Sequence, residues 1–239
     1  MKKTSHSGKQ IASHLFCLVE ENPKTRRKHY SYFLIHPEGN ILFHPLKMTS
    51  VLKRHEALFA EHGGIRLQLL THGAEASASC EWIHQKFGAG LYFHSSDAPQ
   101  VARKTRCPVA YAFSSGHRVV DGLDAIPLSG HTLGFTSYRL STSKTTFLFT
   151  GDFLTLRDDE WSARVRKPLM QVGIANLNAL KKVSFSAALP NMSKGAATPP
   201  FNLSATERIR AVDSAIARLA KTPIKLRRTA RGRSPSRSP

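Results

Sequence analysis

The sequence predicts a mixed α/β domain in which two sheets pack together with helices outside them. Two observations carry this prediction. Short apolar strand segments come in clusters and helical segments follow them, a pattern that layered α/β architecture satisfies. The chain is 239 residues long and 41% hydrophobic, enough apolar surface to bury a core and offset chain entropy.

The elements follow in order. Leu15 to Val19 is a short apolar run that reads as a strand. Tyr30 to Ile35 is a second, closed by Pro37-Glu38-Gly39-Asn40, whose Gly and Asn tolerate positive φ. Ile41-Leu42-Phe43 returns to complete a hairpin. A helix is expected from Thr49 to Glu61, with Val51, Leu52, Leu58 and Phe59 on one side and Gly63-Gly64 as its stop. Arg66 to Leu70 reads as a buried strand, Ala76 to Phe87 as helix and Leu91 to Phe93 as strand. Further strands are expected at Val109–Phe113, Gly122–Pro127, Ser137–Leu140 and Thr146–Phe149. Asn176 to Val183 reads as helix, and Ala187-Ala188-Leu189 leads into Pro190. A capping box, Ser204-x-x-Glu207, opens a last helix with Ile209, Val212, Ile216 and Leu219 at helical spacing.

Composition excludes several classes. No run of eighteen or more apolar residues occurs, so no membrane span is expected. The basic start, Met1 to Lys9, lacks a following apolar stretch, and a secretory leader is not expected. The cysteines, Cys17, Cys80 and Cys107, are odd in number and contain no C-x-x-C pair. Free thiols in the cytoplasm or another reducing compartment fit them better than a disulfide framework.

Thirty-five Lys and Arg against sixteen Asp and Glu give a net charge of +19. Residues 221–239 hold seven bases (Lys221, Lys225, Arg227, Arg228, Arg231, Arg233, Arg237), no acid, and a Ser/Pro/Arg ending, and read as a disordered basic tail. Such a tail either keeps the protein soluble or binds nucleic acid or another polyanion. The run Lys24 to Lys28 reads as an exposed hairpin tip with the same two meanings. Residues 1–13 are expected to be a flexible N-terminus, with one domain spanning 14–220.

The chemistry concentrates in three places. Leu69-Leu70-Thr71-His72 delivers a Thr-His pair from a strand into a loop. Ser129-Gly130-His131-Thr132 sets a histidine in a Gly-rich loop, and Phe149-Thr150-Gly151-Asp152 ends an apolar strand on Gly-Asp. In this order, and with the Pro37–Asn40 hairpin, the chain resembles the metallo-β-lactamase fold superfamily over residues 14 to 220. The resemblance implies an αββα sandwich with its site on loops at one edge of the sheets.

Active members of that superfamily carry T-H-x-H-x-D-H. Here the run is Thr71-His72-Gly73-Ala74-Glu75-Ala76-Ser77, so only its first histidine remains. Ala74, Ala76 and Ser77 stand at the other ligand positions, and Pro190-Asn191-Met192-Ser193 replaces the turn with the final histidine. The Gly-His and Gly-Asp ligands match as His131 and Asp152. Three of seven ligands are therefore retained, and His44 stands where the superfamily commonly has a structural Asp.

The dinuclear site is thus expected to be lost. His72, His131 and Asp152 form a two-histidine, one-carboxylate set that could hold a single zinc, iron or manganese ion. In the alternative they are hydrogen-bonded loop residues kept from an ancestor. The leading expectation is a non-catalytic or severely impaired member that binds a small molecule or protein. The alternatives are a mononuclear hydrolase of ester- or thioester-like bonds and a polyanion binder using the tail. Glu75 is expected to be exposed, His94 structural or superficial, and Cys80 a packed thiol. A Ser77-His131-Asp152 triad lacks the G-x-S-x-G elbow that would support it. Phe33, Phe43, Phe147 and Phe149 are expected in the core.

Overall fold

The computed structural model describes residues 8–22 and 24–221. Strands β1 (Lys9–Ala12), β2 (Leu15–Asn22), β3 (Arg27–Leu34) and β4 (Ile41–Phe43) come first, then helices α1 (Thr49–Lys53) and α2 (Glu56–Glu61). Strand β5 (Leu67–Leu69), helix α3 (Ala78–Phe87), strand β6 (Gly90–His94) and helix α4 (Ala98–Ala102) follow. Next are β7 (Val109–Phe113), β8 (His117–Val120), β9 (Leu123–Pro127), β10 (Thr136–Ser141), β11 (Thr146–Gly151), β12 (Thr155–Arg157) and β13 (Glu160–Ser162). The chain closes with α5 (Met170–Leu180), β14 (Ala187–Pro190), β15 (Met192–Lys194), β16 (Phe201–Asn202) and α6 (Ala205–Lys221).

The first sheet runs β13-β12-β15-β3-β4-β5-β6-β7, with β2 also on β3 and β1 on β2; the second runs β16-β14-β11-β10-β9-β8. Alternation along the strands sorts the side chains into layers. Tyr32 of β3 and Phe147 and Phe149 of β11 point between the sheets, whereas Phe33 and Leu148 point outward to helices. Across the gap the Phe43 and Phe149 rings stack with centroids 3.8 Å apart. Outside the first sheet, Leu18, Phe33 and Leu42 meet Val51, Leu52, Phe59 and Ile83. Outside the second, Leu148 and Ala188 meet Leu177 and Leu180 of α5 and Val212 and Ala215 of α6. The result is the expected αββα order, with Phe33, Phe43, Phe147 and Phe149 all buried.

Several boundaries differ from the sequence expectation. Lys9–Ala12 pairs with β2, so the domain begins before residue 14. The single helix expected over Thr49–Glu61 breaks at Arg54-His55 into α1 and α2. The helix expected from Asn176 starts at Met170 and ends at Leu180, because the chain turns at Lys181 to reach β14. Lys28 is not at an exposed tip. Its side chain is buried and its Nζ donates to the carbonyls of Gly195 and Ala196 at 3.2 and 3.0 Å. The capping box forms as expected: the Glu207 N–H donates to Ser204 Oγ, and the Ser204 N–H to Glu207 Oε2 at 2.8 Å. Ile209, however, is exposed, and Ala211 and Ala215 join Val212 in facing the core. No helix among the described residues is long and apolar enough to cross a membrane. All residues of the expected tail beyond Lys221 lie outside the described residues, as do residues 1–7.

Candidate metal centre

The parallel pairings β4–β5 and β11–β14 bring several strand ends to one edge of the sandwich. His72 follows β5 in extended conformation, and Asp152 follows β11 directly. Gly151, at φ +50°, turns the chain out of β11, and a Cβ there would collide with Thr71 Oγ1. His131 lies on the β9–β10 loop. Its neighbour Gly130 packs so closely on α5 that an added Cβ would stand 3.0 Å from Gly173 Cα and 2.6 Å from Phe153 Cε2. The Gly in each motif is thus set by space and backbone geometry.

These elements bring His72, His131 and Asp152 together, one donor atom from each lying within 4.8 Å of the others. Asp152 Oδ2 is 3.3 Å from His131 Nε2 and 3.6 Å from His72 Nε2. Tetrahedral bonds of about 2.0–2.1 Å place ligand atoms about 3.3–3.4 Å apart, so this spacing suits one small metal ion. Donor chemistry agrees. His131 Nδ1 donates to the Arg164 carbonyl at 3.2 Å, which leaves the lone pair on Nε2. Burial and the adjacent His72 push the His131 imidazole down to about 4. His72 Nε2 and Asp152 Oδ1 are buried without a hydrogen-bond partner, an arrangement that a bound cation would satisfy. The spacing and the His131 and Asp152 donors therefore fit a metal ion, which His72 would join through Nε2 only with its ring proton moved to Nδ1, the atom that here accepts from the Ala74 N–H at 3.2 Å.

The remaining ligand positions do not. Ala74, Ala76 and Ser77 offer no imidazole or carboxylate, and Ser77 Oγ pairs with Ser79 Oγ at 2.8 Å rather than with His131. Asn191, at the final histidine's position, donates Nδ2 to Glu75 Oε1 at 2.9 Å.

Glu75 overturns the expectation of an exposed side chain. It is buried and accepts from His44 Nδ1 at 2.9 Å, from the Thr71 N–H at 2.7 Å, from Thr71 Oγ1 at 2.7 Å and from Asn191. Burial would raise its pKa, but the facing His44 and His72 and the hydrogen bonds from His44 and Thr71 hold it well below the usual carboxylate range. Glu75 ties the ends of β4, β5 and β14 together. His44, with φ +51°, belongs to this network.

Sequence reasoning also missed Arg164 and Asp97. Arg164 Nη1 lies 2.8 Å from Asp152 Oδ2. Buried Asp97 accepts from the Gly73 N–H at 2.8 Å, from Thr132 Oγ1 at 2.7 Å and from the Gly134 N–H at 3.2 Å, joining the His72 and His131 loops. Neither stands in a motif, and only the fold brings them to the site. His94 is structural, as expected: its Nδ1 accepts from the Ser96 N–H at 3.2 Å. A cavity of about 500 Å³ opens on the centre and is lined by His72, His131, Asp152, Arg164 and their neighbours.

Solved structures share this fold. A subclass B3 metallo-β-lactamase of Bradyrhizobium japonicum superposes with a TM-score of 0.62 at 16% identity, covering 87% of this chain and 92% of its own. A metallo-β-lactamase of Cronobacter sakazakii with an HARLDQ motif gives 0.64 at 17% identity, covering 88% and 92%. A class B3 di-zinc metallo-β-lactamase from an Alaskan soil metagenome gives 0.61 at 14% identity, covering 89% and 90%. No protein-family model matches the chain, and no curated protein matches its sequence. The chain has the metallo-β-lactamase fold.

Proposed function

We propose that this protein binds one metal ion through His72, His131 and Asp152, in a site reduced from a dinuclear one, and that dinuclear hydrolysis is absent or severely impaired. The observation that carries the reading is the spacing of the three donors, 3.3 and 3.6 Å about Asp152 Oδ2, beside ligand positions held by Ala74, Ala76, Ser77 and Asn191. The Cronobacter motif H-A-R-L-D-Q and the run His72-Gly73-Ala74-Glu75-Ala76-Ser77 both begin with histidine and both lack the later histidines of H-x-H-x-D-H.

A bound metal supplies Lewis acidity and a lowered pKa for water. The chain's own residues define what else such a site can do. His131 is fixed by the Arg164 carbonyl, so its Nε2 is presented toward Asp152. Asp97 holds the two histidine loops in register. Glu75 has its acceptor sites occupied by His44, Thr71 and Asn191, and so serves as a structural tie rather than a proton carrier. The open cavity leaves room for an ester- or thioester-like substrate, which keeps a slow mononuclear hydrolase within the same reading.

Two observations favour a second reading, a site that works without metal. The Arg164 guanidinium already neutralises Asp152 Oδ2 at 2.8 Å. His72 Nδ1 accepts from the Ala74 N–H at 3.2 Å, which puts the neutral ring's proton on Nε2 between the Asp152 and Glu75 carboxylates. Cobalt(II) titration of untagged, chelator-treated protein separates the readings. Visible bands saturating at one equivalent, and absent from His131→Ala, support the single-metal site. Featureless spectra support the metal-free one. In parallel, the zinc-loaded protein should leave a chromogenic cephalosporin intact and turn over a p-nitrophenyl ester slowly at most. Efficient cephalosporin hydrolysis would refute the loss of dinuclear-type activity.

A further inference from the structure

The wall of the same cavity carries three cations, Lys47, Arg164 and Arg166, beside three acids, Glu20, Glu75 and Asp152, and the cations keep free donors. Arg164 and Arg157 converge on one sulfur, each with a guanidinium nitrogen 3.8 Å from Met192 Sδ. The carboxylate paired with this couple is Asp152, through Arg164 Nη1. A guanidinium offers five N–H donors in a planar fork. In Arg164, Nη1 is engaged, whereas Nη2 and Nε make no hydrogen bond to the described residues and the side chain is 47% exposed. The neighbouring Arg157 Nε is buried and unpartnered, and burial together with Arg164 lowers the Arg157 pKa.

Two more cations, Lys47 and Arg166, line the cavity, both exposed and with no acid in ion-pair range among the described residues. Two of the three acids on the wall are already paired. Glu75 is held by His44, Asp152 by Arg164, and Glu20 stands opposite His29 across the β2–β3 pairing. Like charges gathered around one carboxylate repel, and an incoming anion relieves that repulsion while filling the free donors.

We propose that this cavity binds an oxyanion, a carboxylate or phosphoryl group, on the free edge of Arg164, with Arg166 and Lys47 completing the grip. Because Arg164 also touches Asp152, the bound oxyanion lies next to the three donors. The proposal rests on the single-metal reading where it names the substrate class, an anionic one. The binding itself needs no metal.

The test is calorimetric titration of chelator-treated full-length protein at low ionic strength, with inorganic phosphate in one arm and succinate in the other. Saturable binding is expected in at least one arm, and the stronger arm identifies the group. Arg164→Gln should weaken it at least about tenfold, as loss of charge-assisted hydrogen bonds does. Arg166→Gln and Lys47→Gln, both surface changes, should each weaken it by about threefold. A double variant of the basic cluster beyond α4, Arg103→Gln with Arg106→Gln, should leave affinity unchanged. No saturable binding in either arm would overturn the proposal, as would equal losses in the cavity and control variants. Since no metal is present, failure here is distinct from failure of the metal site, which the cobalt titration reports.

Discussion

At the residue scale, the centre depends on side chains that satisfy one another in a buried setting. Glu75 accepts hydrogen bonds from three residues, and its removal would leave their donors buried without an acceptor. Glu75→Ala should destabilise the fold by about 3–5 kcal/mol, the range for breaking a buried charged contact from one side. Glu75→Gln, which keeps an acceptor oxygen, should cost less. Urea unfolding measures both, and a loss below about 1 kcal/mol for the alanine variant would contradict the assigned role. The cysteines make a second residue-scale prediction. Burial pushes the Cys17 and Cys80 thiols up to about 12 and Cys107 up to about 11, and all three are free. At pH 8 the thiolate fraction is then about one in a thousand or less. A disulfide reagent should spare the native protein and titrate three thiols after unfolding. Rapid reaction of a native thiol would refute this burial.

Elements, in turn, position those residues. Asp97, just after β6, joins the loop after β5 to the loop after β9 through three hydrogen bonds. Asp97→Ala should lower the melting temperature and weaken metal binding together, because the two histidine loops lose their common anchor. Unchanged metal affinity in a folded Asp97→Ala would show that the loops hold themselves. The elements also show what a sequence discloses. Strands β2 to β6 and β9 to β11 were legible because apolar runs end at turn-forming residues. Helix α6 was legible because Ser204 and Glu207 cap each other. Short strands such as β12, β13, β15 and β16 carry few apolar residues and exist through pairing with distant partners, as β15 does with the start of β3. Ile209 was misplaced because Ala211 and Ala215, not a larger side chain, allow α6 to approach the second sheet.

For the whole molecule, the fold was legible through its three motif loops. Three residues that the motif loops single out, His72, His131 and Asp152, lie together. The setting of their neighbours was not legible. Apart from the Thr71–Glu75 bonds, which span four positions, Glu75, Arg164, Asp97 and Asn191 act through contacts spanning 12 to 116 positions in the chain, which no local pattern encodes. Of the bases behind the net charge of +19, Lys47, Arg164 and Arg166 face one cavity, where the acids Glu20, Glu75 and Asp152 balance them. The six bases beyond Lys221 remain a separate question. If they contact duplex DNA, truncation after Lys221 should reduce the slope of log affinity against log salt by up to about five, and an unchanged slope would exclude them. The central claim is the single metal centre, and metal stoichiometry tests it most directly. Untagged protein equilibrated with zinc and dialysed should carry one zinc per chain, and the double variant His72→Ala with His131→Ala should carry none. Two zinc ions per chain, no zinc in the wild type, or an undiminished content in the double variant would contradict it.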